Sequence, residues 1–176
     1  MEEGVTRSKN WSTMYTLGMR GSGDAASPTL NSATLEEVIR WQQSSLTKVL
    51  GKPLSEIPQA WVMYKEVPGY LQAGMKVSDD ITLLWSDDNR GNIRRVPTAS
   101  ENQRSGGSGM YYHFDYVGDP RNYKWINTIQ LQKTWEQMTL AYDSGVRNIW
   151  IANVGDLKAL VCHHMSRRRV HNPSSC

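Results

Sequence analysis

The stretch Thr82-Leu83-Leu84-Trp85-Ser86-Asp87-Asp88-Asn89 decides the fold, because an apolar run ends there in two carboxylates and an amide. The apolar part predicts a strand buried on both faces of a sheet. The polar part then lies at the C-terminal end of that strand. The chain repeats this arrangement, and the predicted strands cover residues 14–20, 60–64, 81–85, 110–114 and 149–152.

Helical patterns separate several of these strands. Thr34 and Glu37 have the spacing of a capping box, which predicts a helix from Thr34 to about Gly51. A second helix is predicted over about residues 128–144, with its apolar stripe formed by Leu131, Trp135, Met138 and Tyr142. Strands that alternate with helices predict an α/β fold with a parallel sheet. Because an eight-stranded (β/α) barrel needs about 250 residues, the sequence predicts an incomplete TIM-like barrel of about five strand-helix units.

The hydrophobic pattern ends near Leu160. We therefore predict that residues 1–160 form the partial (β/α) barrel and that residues 161–176 are a disordered or non-native tail. That tail holds both cysteines of the chain, Cys162 and Cys176. Cys162 is followed directly by His163 and His164, and such adjacent residues are poorly spaced for a tetrahedral metal site.

Charge and hydropathy exclude several classes of protein. The net charge is +3, and the run Arg167-Arg168-Arg169 falls in the tail, so the folded part lacks the basic stripe of a nucleic-acid-binding protein. No apolar run approaches the roughly 20 residues of a membrane span. The first residues lack the apolar core of a signal peptide.

The aromatic residues are mostly tryptophan and tyrosine. The chain contains seven tryptophans, eight tyrosines and one phenylalanine, a composition that suits surfaces that stack on sugars as well as ordinary cores.

Polar side chains follow all five predicted strands. In a parallel α/β fold the ligand lies at the C-terminal ends of the strands. We therefore expect one pocket that is rich in carboxylates and amides, formed by Asp24, Glu66, Asp87, Asp88, Asn89, Asp115, Asn153 and Asp156.

Six segments of the chain resemble glycoside hydrolase family 115, the xylan α-1,2-glucuronidases. The most specific is the run from Trp85 to Arg95, with Asp87-Asp88-Asn89 at its centre. The others, in order, are residues 18–24, 64–67, 109–118, 123–127 and 153–158. The resemblance extends over nearly all of the chain from Gly4 to Lys158.

The resemblance implies a (β/α)-barrel-like catalytic domain inside a longer, secreted enzyme. Such an enzyme removes (4-O-methyl)-glucuronic acid side groups from glucuronoxylan by an inverting mechanism, without a metal cofactor. Full-length members of the family can form oligomers. This chain would be a truncated fragment of the catalytic domain, and we expect the isolated fragment to be inactive.

The resemblance also implies roles for individual residues. The active-site acids and amides of the family align with Asp24, Glu66, Asp87, Asn89 and Asn153, and Glu66 resembles the general acid. Two positions depart from the family pattern: Arg90 replaces the usual aromatic residue after the Asp-Asp-Asn run, and Ser22 replaces a common acidic residue before Asp24.

Inversion at a sugar carbon requires a carboxylic acid and a carboxylate about 6.5 to 9.5 Å apart. The candidate pair is Glu66 with either Asp24 or Asp87. The sequence does not decide which of these two aspartates is the general base. Asn89, Asn153, Asp88 and Asp115 are candidates for binding sugar hydroxyls. The candidate cations for the uronate carboxylate are Arg20, Lys65, Arg94 and Lys124.

Two other functions remain open from the residues alone. His113 and Asp115 could join the strand-end acids around a divalent ion, which would make the chain part of a metal-dependent hydrolase. The chain could also be a non-catalytic remnant that binds carbohydrate.

Overall fold

The computed structural model describes residues 1–119, 122–126 and 128–156, and for Asp24 it describes only the main chain. The predicted tail, with Cys162, His163, His164 and Cys176, lies outside the described residues.

Four helices and five strands make up the described chain. The helices are α1 (Glu2–Ser8), α2 (Ser32–Leu50), α3 (Val67–Gln72) and α4 (Leu131–Asp143). The strands are β1 (Tyr15–Leu17), β2 (Gln59–Met63), β3 (Ile81–Ser86), β4 (Ser108–His113) and β5 (Ile149–Asn153). Short 3-10 turns occur at Ser22–Asp24, Leu54–Glu56 and Glu101–Gln103.

The strands form one sheet in chain order, β1-β2-β3-β4-β5. β1 pairs in parallel with β2, with Tyr15 opposite Gln59, and β4 pairs in parallel with β5, with Met110 opposite Trp150. Parallel strands in chain order are the arrangement of part of a (β/α) barrel wall, so the predicted fold class is confirmed. The apolar part of the stretch from Thr82 to Asn89 lies in β3, the central strand of this order.

The chain divides into two compact units. The first contains Met1–Leu84 and Gln103–Gly107. The second contains Trp85–Asn102 and the described residues from Ser108 onward.

The core of the first unit forms around α2. Leu35, Ile39 and Leu46 recur at helical spacing and are at most 2% exposed. Burying each such side chain contributes about 1.5–3 kcal/mol. Gly51 then ends the helix in a left-handed conformation with φ 65°, as a C-terminal glycine commonly does.

The predicted start of α2 is wrong by three residues. The N-cap is Asn31, whose side-chain Oδ1 accepts a hydrogen bond of 2.9 Å from the backbone N–H of Thr34. Asn is among the strongest N-cap residues, and a cap here lets Ser32 and Ala33 join the first turn. Thr34 therefore lies inside the helix.

The second unit buries a face of α4 that the sequence did not predict. Thr134, Met138 and Ala141 are the buried residues, whereas Leu131 and Trp135 are 44% and 51% exposed. Both stripes pass through Met138 and have the same period, so periodicity alone does not separate them. The small side chains of Thr134 and Ala141 fit the packed face of the helix.

Replacing Asn31 with alanine is expected to lower the free energy of unfolding by about 1 kcal/mol, because a backbone N–H of the first turn loses its acceptor. Urea denaturation followed by circular dichroism measures the change. Thr34→Ala is the control, with an expected change within about 0.5 kcal/mol. A larger loss in Thr34→Ala than in Asn31→Ala would contradict the assignment of the cap.

Candidate functional site

In the first unit, the C-terminal end of β1 is fixed to helix α2 by one side chain. The Gly18 N–H donates to Gln42 Oε1 at 2.8 Å, and Gln42 Nε2 donates to the Gly18 carbonyl at 3.0 Å. Gly18 has φ 107°, and a Cβ there would lie 3.0 Å from Trp61 Nε1. Glycine is therefore required, and the segment leading to Arg20 has a fixed start.

Arg20 and Glu66 form a two-pronged ion pair. Arg20 Nε donates to Glu66 Oε1 at 2.9 Å, and Nη2 donates to Oε2 at 3.0 Å. The two side chains are 21% and 25% exposed. Two parallel hydrogen bonds fix the orientation of the carboxylate as well as its charge.

The turn that leads to Glu66 contains an unusual backbone conformation. Lys65 has φ 51°, a left-handed value that is uncommon for a residue other than glycine. Its Nζ lies 5.1 Å from the centre of the Tyr64 ring, and Arg20 lies over the same ring at 5.7 Å. Glu66 follows directly and is the N-cap residue of α3, without a capping hydrogen bond from its side chain.

The hydrogen bond from Arg20 is the largest influence on the pKa of Glu66, and it lowers that pKa from the ordinary value. Burial raises the pKa, but a backbone hydrogen bond and the charges of Arg20 and Lys65 lower it further. The carboxyl is ionised, and Arg20 is already paired.

Asp24 ends the 3-10 turn Ser22–Asp24, which follows β1. Its side chain lies outside the description, so its predicted catalytic role stays a prediction.

In the second unit, Asp87 is enclosed by groups that donate to it. Its Oδ1 lies 2.6 Å from His113 Nδ1 and accepts from the Asn89 N–H at 3.0 Å. Its Oδ2 accepts from the backbone N–H of His113 at 3.0 Å. The Asp87 side chain is 0% exposed and that of His113 is 10% exposed. Because a carboxylate only accepts, His113 Nδ1 carries the proton in this contact and Nε2 is left as the acceptor of the ring.

His113 lies between two tyrosine rings. Tyr111 and Tyr116 contact it edge-on, with ring centres 5.1 and 5.7 Å away. The Tyr111 hydroxyl accepts from Asn153 Nδ2 at 3.0 Å. The structure thus joins Asp87 and Asn153, both predicted as site residues, through Tyr111 and His113.

The sequence patterns do not identify Tyr111 or Tyr116 as site residues, and they indicate His113 only as a possible metal ligand. A usable signal did exist, because Tyr111 and His113 are two residues apart in β4 and alternate residues of a strand share one face.

Asp88 organises the turn that follows β3. Its Oδ1 accepts from the N–H groups of Arg90 and Asn92, and its Oδ2 accepts from Asn92 Nδ2 at 2.7 Å and from Arg94 Nη2 at 2.9 Å. Burial raises the pKa of Asp88, but the hydrogen bonds from Asn92, Arg94 and Arg90 outweigh it and lower the pKa to about 2. Asn89 has φ 67° in this turn. Asp88 and Arg94, both predicted to bind substrate, are here partners of each other.

Asp115 and Lys124 form a third pair. Lys124 Nζ lies 2.9 Å from Asp115 Oδ1 and donates to the Tyr116 carbonyl at 3.3 Å. The Asp115 side chain is 10% exposed. A Cβ on Gly155 would lie 2.9 Å from Asp115 Oδ2, so glycine lets the segment after β5 approach this carboxylate.

Three of the four predicted uronate cations, Arg20, Arg94 and Lys124, are thus paired with carboxylates. Within the described ranges, no group of three or more His, Cys, Asp or Glu residues is arranged to hold a metal ion. The same part of the chain contains no helix of the length and apolar character that a membrane crossing requires. The prediction that the acids of both units share one pocket stays a prediction.

Comparison with known proteins gives one family. A family model described as "Glycosyl hydrolase family 115" matches residues 1–167. Among solved structures, a family GH115 4-O-methyl-α-glucuronidase with specificity for decorated arabinogalactans is 36% identical, with a TM-score of 0.86. That match covers 96% of this chain and 23% of the solved chain, so this chain spans less than a quarter of that protein's length. A search of curated proteins gave no match.

Replacing Arg20 with glutamine is expected to raise the pKa of Glu66, because the largest of the influences that lower it is removed. A pH titration of the side-chain carboxyl carbons by 13C NMR measures this shift. Arg40→Gln is the control, since Arg40 pairs with Glu36 instead. An unchanged or lower Glu66 pKa in Arg20→Gln would show that the ion pair does not form in solution.

Replacing Asp87 with alanine is expected to lower the free energy of unfolding by at least about 2 kcal/mol, because each buried donor left without an acceptor costs about 1–3 kcal/mol. The donors concerned are the Nδ1 and backbone N–H of His113 and the Asn89 N–H. Denaturant titration provides the measurement. The exposed Asp119 serves as control, with an expected change within about 0.5 kcal/mol for Asp119→Ala. Equal losses in the two variants would contradict a structural role for Asp87.

Proposed function

The chain belongs to glycosyl hydrolase family 115, and from this we propose that it is part of an enzyme that releases (4-O-methyl)-glucuronic acid side groups from glucuronoxylan with inversion. The observation that carries the proposal is the match of the family model to residues 1–167. The share of the solved relative that the chain covers, 23%, supports a longer enzyme to which these residues contribute part of the catalytic domain. Because its substrate is a plant polysaccharide, the enzyme acts outside the cell.

Glu66 is the general acid in this proposal, and Arg20 binds the uronate carboxylate. The two roles are connected, because the fork of Arg20 that now holds Glu66 is equally suited to the carboxylate of a sugar acid. When the carboxylate of the substrate binds Arg20, Glu66 loses the hydrogen bond that contributes most to lowering its pKa. Its pKa then rises, and Glu66 takes up a proton from solvent, which it later gives to the leaving oxygen.

Asp24 is the better candidate for the general base. The other candidate, Asp87, is fully enclosed and already accepts three hydrogen bonds, so its carboxylate cannot reach a water molecule. Asp87 instead orients His113. With Nδ1 bound to Asp87, the Nε2 atom of His113 accepts a hydrogen bond from a sugar hydroxyl, beside Tyr111 and Asn153.

The identity of the released side group and the identity of the polysaccharide backbone have to be tested separately. The solved relative acts on decorated arabinogalactans. An arabinogalactan with the same uronate is therefore the comparison substrate, and faster release from glucuronoxylan is the result that this proposal expects.

Replacing Glu66 with glutamine in the longer enzyme is expected to reduce release of glucuronic acid by roughly 10²- to 10⁴-fold, the usual contribution of a general acid. The release is measured by chromatography of the sugar acid, and 1H NMR of the first product determines its anomeric form. Glu37→Gln is the control, because Glu37 is exposed on α2. The first product of inversion at an α-linkage is the β-anomer.

Activity of Glu66→Gln equal to that of Glu37→Gln would overturn the assigned acid, and an initial α-anomer would overturn inversion. The isolated 176-residue chain is expected to release no glucuronic acid. Release by that chain, abolished in Glu66→Gln, would show instead that these residues suffice.

A further inference from the structure

A pocket of the first unit lies away from all of the predicted site residues. Its volume is about 340 Å³, and its lining includes Lys9, Trp11, Tyr15, Lys52, Glu56 and Pro58. This volume falls within the roughly 300–1,000 Å³ that is common for small-molecule sites.

The pocket lies at the opposite ends of the strands that carry Arg20 and Glu66. Tyr15 is the first residue of β1, and Pro58 directly precedes β2. Glu66 follows the far end of β2. Five strand residues at about 3.3 Å each separate the two ends by roughly 16 Å. A ligand of the pocket is thus bound apart from Glu66.

An exposed indole forms one wall of this pocket. The Trp11 side chain is exposed, with 71% of the residue accessible, and the backbone N–H of Trp11 donates to the Ser8 carbonyl at 2.9 Å. The Ser8 hydroxyl lies 3.3 Å from the Tyr15 hydroxyl, and the Tyr15 N–H donates to the Pro58 carbonyl at 2.9 Å. The backbone under the ring is therefore fixed before any ligand binds, which lowers the cost of ordering. An indole offers an apolar face with a polar edge, which matches the faces and hydroxyls of a sugar ring.

The charges around the pocket favour an anion. Lys9 and Lys52 are both exposed, and neither makes an ion pair or side-chain hydrogen bond with residues 1–119, 122–126 or 128–156. Glu56 is the one acidic residue among those that line the pocket. Lys48, in the last turn of α2, is instead paired with Glu2 at 3.0 Å.

We propose that this pocket is a second carbohydrate-binding site, which binds a uronate-bearing stretch of the polysaccharide without cleaving it. A backbone sugar stacks on Trp11, and the carboxylate of a side group lies between Lys9 and Lys52. Only the identity of the polysaccharide rests on the proposed function. Because a polymer carries many side groups, binding at one site raises the effective concentration of others near the enzyme.

The test is retention of the 176-residue chain in native gels that contain glucuronoxylan or the same xylan stripped of its uronates. Trp11→Ala is expected to weaken binding to both polymers roughly tenfold, which is about 1.4 kcal/mol. The double variant Lys9→Gln, Lys52→Gln is expected to lose the preference for the uronate-bearing polymer and to keep binding to the stripped one. Trp41→Ala is the matched control, because Trp41 is 64% exposed on α2 and does not line the pocket.

Retention of Trp11→Ala equal to that of Trp41→Ala overturns the site. An unchanged uronate preference in the double lysine variant overturns the assigned ligand class. Neither outcome depends on catalysis, so the assay also separates the two proposals. Trp11-dependent retention together with an enzyme that releases no sugar acid would leave the binding site standing and remove the proposed function.

Discussion

The contact between Asp87 and His113 is the constraint on which the second unit depends most. A carboxylate without access to water is costly unless its oxygens accept hydrogen bonds. Asp87 meets this condition with a ring nitrogen and two backbone N–H groups, drawn from the end of β4 and from its own turn. The contact therefore fixes the ends of two strands, the tautomer of a histidine and the start of the turn that Asp88 completes.

The acids at the strand ends occur with their own counter-charges. Glu66 pairs with Arg20, Asp88 with Arg94 and Asp115 with Lys124. The Asp88 pair stabilises a turn, the Glu66 pair connects the segments that follow β1 and β2, and the Asp115 pair lies within the segment that follows β4. Each of these carboxylates is therefore already paired within the protein. An anionic ligand has to replace a protein carboxylate before it can bind one of these three cations.

The order of strands and helices could be predicted from the sequence because it depends on local patterns of residues. Apolar runs followed by acids or amides predicted all five strands, and their alternation with helices predicted the parallel sheet. The start of α2 was missed because Asn31 and Thr34 both have N-cap chemistry and only the folded backbone selects between them. The buried face of α4 was missed because two stripes of equal period share Met138.

The site was less predictable than the fold for a different reason. Asp87 and His113 are 26 residues apart, and the pairing that makes Asp87 an orienting residue depends on the register of β3 and β4. Arg20 and Glu66 are separated by 46 residues. The pKa of Glu66 depends on this distant partner, so residue type identified the candidate acid but not its protonation.

The left-handed Lys65 has a consequence for which changes of length this chain can tolerate. β2 ends at Met63 and α3 begins at Val67, so the chain reverses within three residues and Glu66 stands at a fixed distance from the sheet. One residue inserted between Tyr64 and Glu66 would displace the carboxylate by up to about 3.3 Å, enough to break both hydrogen bonds to Arg20. An insertion in the loop before β2 leaves that distance unchanged. Related chains can therefore vary in length before this strand, whereas the junction after it has to keep its residue count.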